Sequence, residues 1–173
     1  LGIPCYDSQL IRETAAQSGF SQSFIAANEE QRPSSFLYSL VMGLSSPIQS
    51  TPLPMQLFNA QSETIRKLAS KGPCVFVGRC ADYVLKEEPN ILTVFIHAPL
   101  EHRIQRVCQR DGLSPEAAEK AILSQDKERS TYYEFFVGEK WGAAKNYHLS
   151  LDSQKLGIDG TVKLIQQSLT LCK

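Results

Sequence analysis

A three-layer α/β sandwich, with helices on both faces of a parallel sheet, is the architecture this sequence predicts. Three features carry that expectation. Apolar, strand-like runs alternate with helical periodicities along the chain, and no repeat or low-complexity segment interrupts them. The run Cys74-Val-Phe-Val77 is bounded by Gly72-Pro73 and Gly78, the signature of a buried parallel strand, and it delivers Arg79 where a helix should begin. With 173 residues, 42% of them hydrophobic, the chain has material for one domain with a sizeable core.

The elements follow in order. Ile3 to Tyr6 reads as a short strand, and Asp7 as the N-cap of a helix to about Ser18. Ser21 to Arg32 is polar, and Pro33-Ser34-Ser35 opens a helix that turns Phe36, Leu37, Leu40, Val41 and Leu44 inward. Three prolines mark Ser45 to Pro54 as a loop. Leu57, Ala60, Thr64 and Leu68 recur at helical spacing, so Pro54 to Lys71 is a helix that Gly72 ends. Strand Cys74 to Val77 follows, then a short helix over Arg79 to Lys86, and then strand Ile91 to His97. These last two strands, joined through a helix, form a βαβ unit. Pro99 starts a helix that runs through Glu101 to Arg110. Ser114-Pro115-Glu116 opens a long one to about Phe136, with Ser as cap and Pro at its first position. Tyr147 to Leu151 is the last strand, and Ile158 to Cys172 a closing helix with Val162, Ile165 and Leu169 on one face.

Composition excludes several classes. Eighteen basic residues balance eighteen acidic ones, so no whole-molecule field favours nucleic acid or a membrane surface, and any anion site must be local. No apolar run approaches the roughly 20 residues that span a bilayer, and a soluble, cytoplasmic protein is expected. Five cysteines without a CxxC pair read as reduced thiols, and three scattered histidines argue against a protein-held metal.

Chemistry gathers at three places. Arg79 stands at the carboxyl edge of its strand, where open α/β sheets take ligands. Arg103, Arg106 and Arg110 fall at spacings of three and four and share a helix face, either converging on a phosphate or forming a solvated surface. Asp126 and Arg129 lie one turn apart beside Tyr132, Tyr133, Phe135 and Phe136. That is either a surface ion pair or a pair set to meet a base and a phosphate.

Taken together and in this order, the segments Ile3-Pro-Cys-Tyr-Asp7, Val75-Phe-Val-Gly-Arg-Cys-Ala-Asp82, the Arg103/Arg106 helix, Asp126-Lys-Glu-Arg129 with Tyr132-Tyr133, Lys140-Trp141-Gly142 and Leu151-Asp-Ser-Gln-Lys-Leu-Gly157 resemble the cytidylate kinase-like family of nucleoside monophosphate kinases. The resemblance covers nearly the whole chain and implies the P-loop NTPase form of the sandwich. It implies phosphoryl transfer from ATP to a nucleoside monophosphate, with cytidylate (CMP or dCMP) preferred. Mg2+ would be held mainly through nucleotide phosphates, and the partners would be small-molecule nucleotides.

Residue by residue, it implies that Arg79 grips the acceptor phosphate with Asp7 beside the acceptor. Asp126 and Arg129 would reach the cytosine ring and the phosphate, while Arg103 and Arg106 cover the transferred phosphoryl group. Asp152, Ser153 and Gly157 would pack against the donor's base. Residues 19–54 are the expected acceptor-binding insert and 111–146 the lid region of one domain over 1–173.

The departure is the Gly-rich phosphate loop, for which no G-x-x-x-x-G-K-[ST] spacing exists here. Its strand, loop and helix are expected in roughly 25 to 30 residues before Leu1, and the chain as given is expected to be inactive. A catalytically silent nucleotide-binding or regulatory module and a protein-interaction domain are the competing readings.

Overall fold

The computed structural model describes residues 1–7, 10, 13 and 53–171. The helix expected from Pro33 and the loop over 45–52 lie outside them. Two compact units divide the chain, Leu1–Glu87 and Glu88–Lys173. Each holds one two-stranded parallel sheet with helices beside it, so the chain is α/β.

In Leu1–Glu87, β1 (Cys5–Tyr6) pairs with β2 (Val75–Phe76), with Cys5 opposite Val75 and Tyr6 opposite Phe76. The ladder is continued on either side by Val75 N–H donating to Pro4 O (2.9 Å) and Val77 N–H to Tyr6 O (3.1 Å). The Tyr6 and Phe76 rings stack with centroids 5.3 Å apart. Leu10 and Glu13 are helical, as the reading after Asp7 expects.

Helix α1 (Leu53–Ala69) places Pro54 in its first turn, where a missing N–H costs nothing, and Arg66 and Lys67 in its last, where they complement the carbonyl end of the dipole. Its buried side is half polar: Gln61, Ser62, Thr64, Ile65 and Leu68 are all shielded. Burial of the two hydroxyls is tolerated because each donates to a carbonyl one turn back, Ser62 to Phe58 O at 2.8 Å and Thr64 to Ala60 O at 2.9 Å. Gly72, at φ 134°, ends the exit turn in a conformation closed to other residues.

In Glu88–Lys173, β3 (Val94–His97) pairs with β4 (Leu149–Asp152), putting His97 opposite Asp152 at the carboxyl edge. At the opposite end, His148 Nδ1 accepts from Thr93 N–H (3.0 Å) and His148 N–H donates to Thr93 Oγ1 (3.0 Å), which pins the register. Among the described residues β2 ladders with β1 and β3 with β4. Periodicity finds apolar strands but carries no information on which strands pair.

Helix α3 (Leu100–Asp111) ends at left-handed Gly112, whose N–H reaches Cys108 O at 3.0 Å. Helix α4 (Pro115–Val137) starts as the sequence predicts, with Ser114 Oγ accepting from Ala117 N–H and Pro115 at the first position. The two helices pack together, and Ala118, Ile122 and Tyr133 of α4 are buried.

Beyond α4, Phe95 on β3 is enclosed by Trp141 edge-on (5.4 Å), Tyr147 (5.1 Å) and His97 (6.3 Å). This gives the Lys140-Trp141-Gly142 motif a structural role. Helix α5 (Ser153–Leu171) lies on β3 and β4 and is broken at Gly157. The apolar face expected of it is not its buried one. Val162 and Leu169 are exposed, whereas Thr161 and Ser168 are buried, their hydroxyls satisfied by Gly157 O and Leu164 O.

Candidate active site

In Leu1–Glu87 the site residues sit at the carboxyl edge of the β1–β2 pair. Asp7 follows β1 directly, is exposed, and its carbonyl accepts from Leu10 N–H at 3.1 Å. After β2 the chain makes three consecutive left-handed residues, Gly78 (φ 71°), Arg79 (φ 60°) and Cys80 (φ 54°). For the latter two this costs about 1–2 kcal/mol each. Such outliers persist where the surroundings over-determine them, and they cluster at binding sites.

The turn closes through Ala81 N–H to Gly78 O (3.2 Å) and Val84 N–H to Cys80 O (2.9 Å), so α2 (Ala81–Val84) starts two residues later than expected. Cys80 is the anchor. Its side chain is buried, which pushes the thiol up to about 12, with Asp82 raising it further and Arg79 opposing. The neighbouring Arg79 is half-buried. No signal in the sequence marked Arg79 or Cys80 as left-handed, since neither is Gly, Asn or Asp.

In Glu88–Lys173 the edge of the β3–β4 pair collects Asp152 and Ser153. Asp152 Oδ1 accepts from the N–H groups of Gln154 (2.9 Å) and Lys155 (3.3 Å), and Ser153 Oγ donates to His97 O (3.1 Å). Both side chains therefore also hold the start of α5. Gly157, at φ 67° and ψ 171°, breaks the helix in a conformation suited to glycine.

The α3–α4 pair holds the second cationic group. Arg103 Nη1 donates to Asp126 Oδ2 at 2.6 Å, while Arg129 Nη1 lies 3.8 Å from Asp126 Oδ1. The spacing in sequence pairs Asp126 with Arg129, yet the short contact runs to Arg103, 23 residues away. Arg103 Nε is buried without an acceptor among the described residues. Arg106 is exposed one turn on, and Arg110 is engaged by Asp111 through two bonds of 2.6 and 2.7 Å. The aromatic run beyond Arg129 packs on itself, with Tyr132 to Phe136 at 4.8 Å and Phe135 to Phe136 at 4.9 Å, and Tyr133 is buried.

Among the described residues no three His, Cys, Asp or Glu side chains are grouped to hold a metal ion. No described helix is long and apolar enough to cross a membrane. Cys5, Cys74, Cys80 and Cys108 are free thiols.

Comparison with known proteins adds the following. The model of the cytidylate kinase-like family matches residues 1–155. The chain is 28% identical over 112 residues to a cytidylate kinase of Methanopyrus kandleri, covering 60% of the chain and 58% of that protein. A cytidylate kinase of Thermococcus sibiricus is 30% identical over 95 residues, covering 55% and 48%. One of Methanocaldococcus jannaschii is 24% identical over 106 residues, covering 60% and 59%. The chain thus spans about half the length of these curated relatives. In fold it is similar to the crystal structure of an uncharacterized protein from Eubacterium ventriosum, with a TM-score of 0.71 at 24% identity over 97% of the chain and 83% of that protein.

Proposed function

Because the chain belongs to the cytidylate kinase-like family, we propose that its protein transfers the γ-phosphoryl group of ATP to a nucleoside monophosphate, with cytidylate the preferred acceptor. The observation that carries this reading is the left-handed Gly78-Arg79-Cys80 turn at the end of β2. Backbone strain retained at a strand edge, on an arginine beside a buried neighbour, supports a role for this turn in presenting the guanidinium to an anion.

Each residue then takes a role. Arg79 holds the acceptor phosphate with Asp7 beside the nucleotide, and Asp126 accepts from the amino group of the base while Arg129 meets its phosphate. Arg103 and Arg106 neutralise the group in flight, and Asp152, Ser153 and Gly157 border the donor's base. No covalent nucleophile is needed, because positioning and charge neutralisation supply the catalysis. Among the described residues no three carboxylate, His or Cys side chains are grouped to cage magnesium. An ion arriving on the nucleotide phosphates would add charge neutralisation.

The same reading takes the fold to be a three-layer P-loop sandwich acting as one domain, with 19–54 as acceptor insert and 111–146 as lid, in the cytoplasm. Parallel sheets are covered on both faces. Val75 and Val77 at β2 and Ile96 on β3 are exposed apolar positions that such layers would cover.

Thermal stabilisation by each nucleoside monophosphate tests the acceptor, because a ligand that binds only the folded state raises stability by mass action. CMP or dCMP should give the largest shift, and Arg79→Ala should abolish it. A shift that survives Arg79→Ala unchanged places the acceptor elsewhere. ADP release from ATP on addition of CMP checks the transfer itself.

A further inference from the structure

We propose that Arg103 and Asp126 form a latch between α3 and α4, which keeps Arg103 from phosphate until a nucleotide replaces both halves of the pair. The inference rests on the reading of Arg103 as a phosphate-binding arginine and adds how that arginine is released.

Three observations carry it. First, the pair is made through one nitrogen only, Nη1 to Oδ2 at 2.6 Å. A guanidinium on a carboxylate is most favourable as a two-pronged fork, so half the donor capacity goes unused. Second, the unused part includes Nε, buried with no acceptor among the described residues. An orphaned buried donor has given up its hydration without a replacement bond. The resting position is therefore not the one in which this side chain is best satisfied, whereas a tetrahedral oxyanion presents the Nε–H and an Nη–H with acceptors together. Third, Asp126 is shared unequally. Arg129 stands 3.8 Å from Oδ1, beyond hydrogen-bond distance, and Arg129 Nη2 leans instead on Gln125 Oε1 at 3.5 Å. Arg103 is thus the short-range partner of this carboxylate, and its departure is what frees an acceptor oxygen. The pair is partly exposed, with Arg103 33% and Asp126 25% accessible, so exchange with solvent-borne groups needs no unfolding.

The latch couples two halves of one ligand. An oxyanion that draws Arg103 away leaves Asp126 Oδ2 unpaired, and an amino donor on the base can then take that place. Conversely, a base bound to Asp126 weakens its hold on Arg103. Each half improves the affinity for the other by the same factor.

Tripolyphosphate binding to the full chain, measured by calorimetry, tests this with Asp126→Asn, Arg103→Ala and the double variant. Asp126→Asn should tighten tripolyphosphate binding about tenfold, and the gain should vanish in the Arg103→Ala background. If Arg103→Ala weakens binding but Asp126→Asn does not tighten it, Arg103 meets phosphate without a latch. That result overturns the inference and leaves the site reading intact. If Asp126→Asn tightens binding equally with and without Arg103, or if neither change matters, both the latch and the phosphate role of Arg103 fail. Wild-type protein supplies a measurement independent of variant folding. The Arg103 Nε–H resonance should shift on adding tripolyphosphate, and an unmoved resonance contradicts the proposal.

Discussion

Gly142 lies against the ring of Phe95: a methyl group on its α-carbon would come within 2.9 Å of Phe95 Cζ, and its own φ is +74°. Substitution therefore meets two costs, the left-handed backbone and a ring already enclosed by Trp141 and Tyr147. Gly142→Ala should lower stability by about 2 kcal/mol, read from the urea midpoint by Trp141 fluorescence. A loss near zero would mean that the ring yields and that the enclosure is loose.

Arg79 separates backbone strain from side-chain function. Arg79→Ala and Arg79→Gly both remove the guanidinium, but only glycine accepts φ 60° without cost. The glycine variant should be about 1 kcal/mol more stable than the alanine variant, and both should lose nucleoside monophosphate binding. Equal stabilities would show that the left-handed turn relaxes when the guanidinium is absent.

How much of this was legible in the sequence follows from what each residue type can encode alone. Ser114-Pro115 and Gly138 bracket α4 where the sequence places its ends, because capping is local chemistry written in two or three side chains. The apolar cores of the four strands are legible too, although only Val75–Phe76 of the run Cys74–Val77 pairs as strand. Pairing was not legible, since Cys5 meets Val75 and Val94 meets Leu149 across long intervals.

In the candidate site the sequence names arginines but not their ion-pair partners. An i, i+3 spacing points Asp126 to Arg129, while packing of α3 on α4 brings Arg103 closer. The positive φ of Arg79 and Cys80 has no signature either, because a strained non-glycine turn is imposed by its surroundings.

Cys80 predicts a one-sided pH dependence. Its thiol is raised from an ordinary 9.0 to about 12, chiefly by burial, so between these values the folded state keeps a proton that the unfolded chain has lost. The stabilising contribution is thus complete below about pH 9 and is lost as pH rises through 12. The urea midpoint of the wild type should fall more steeply over pH 9–11 than that of Cys80→Ala. At pH 8, iodoacetamide should modify exposed Cys5 and spare Cys80 in the native protein. Parallel pH profiles for the two proteins would remove Cys80 from the account.

Asp152 poses the question of whether a residue at the strand edge acts by touching a ligand or by holding the chain that does. Its Oδ1 already accepts from Gln154 and Lys155 N–H, the bonding of an N-cap ahead of α5. Asparagine keeps an acceptor oxygen at the same place without the charge, and alanine keeps neither. Asp152→Asn should therefore leave stability within a few tenths of a kcal/mol, and Asp152→Ala should cost about 1 kcal/mol in urea denaturation. ATP affinity separates the roles further. Under a positioning role it should drop in the alanine variant and hold in the asparagine variant, because the turn leading to Gly157 stays in place as long as the cap is made. A drop of equal size in both variants would assign the donor contact to the carboxylate charge itself.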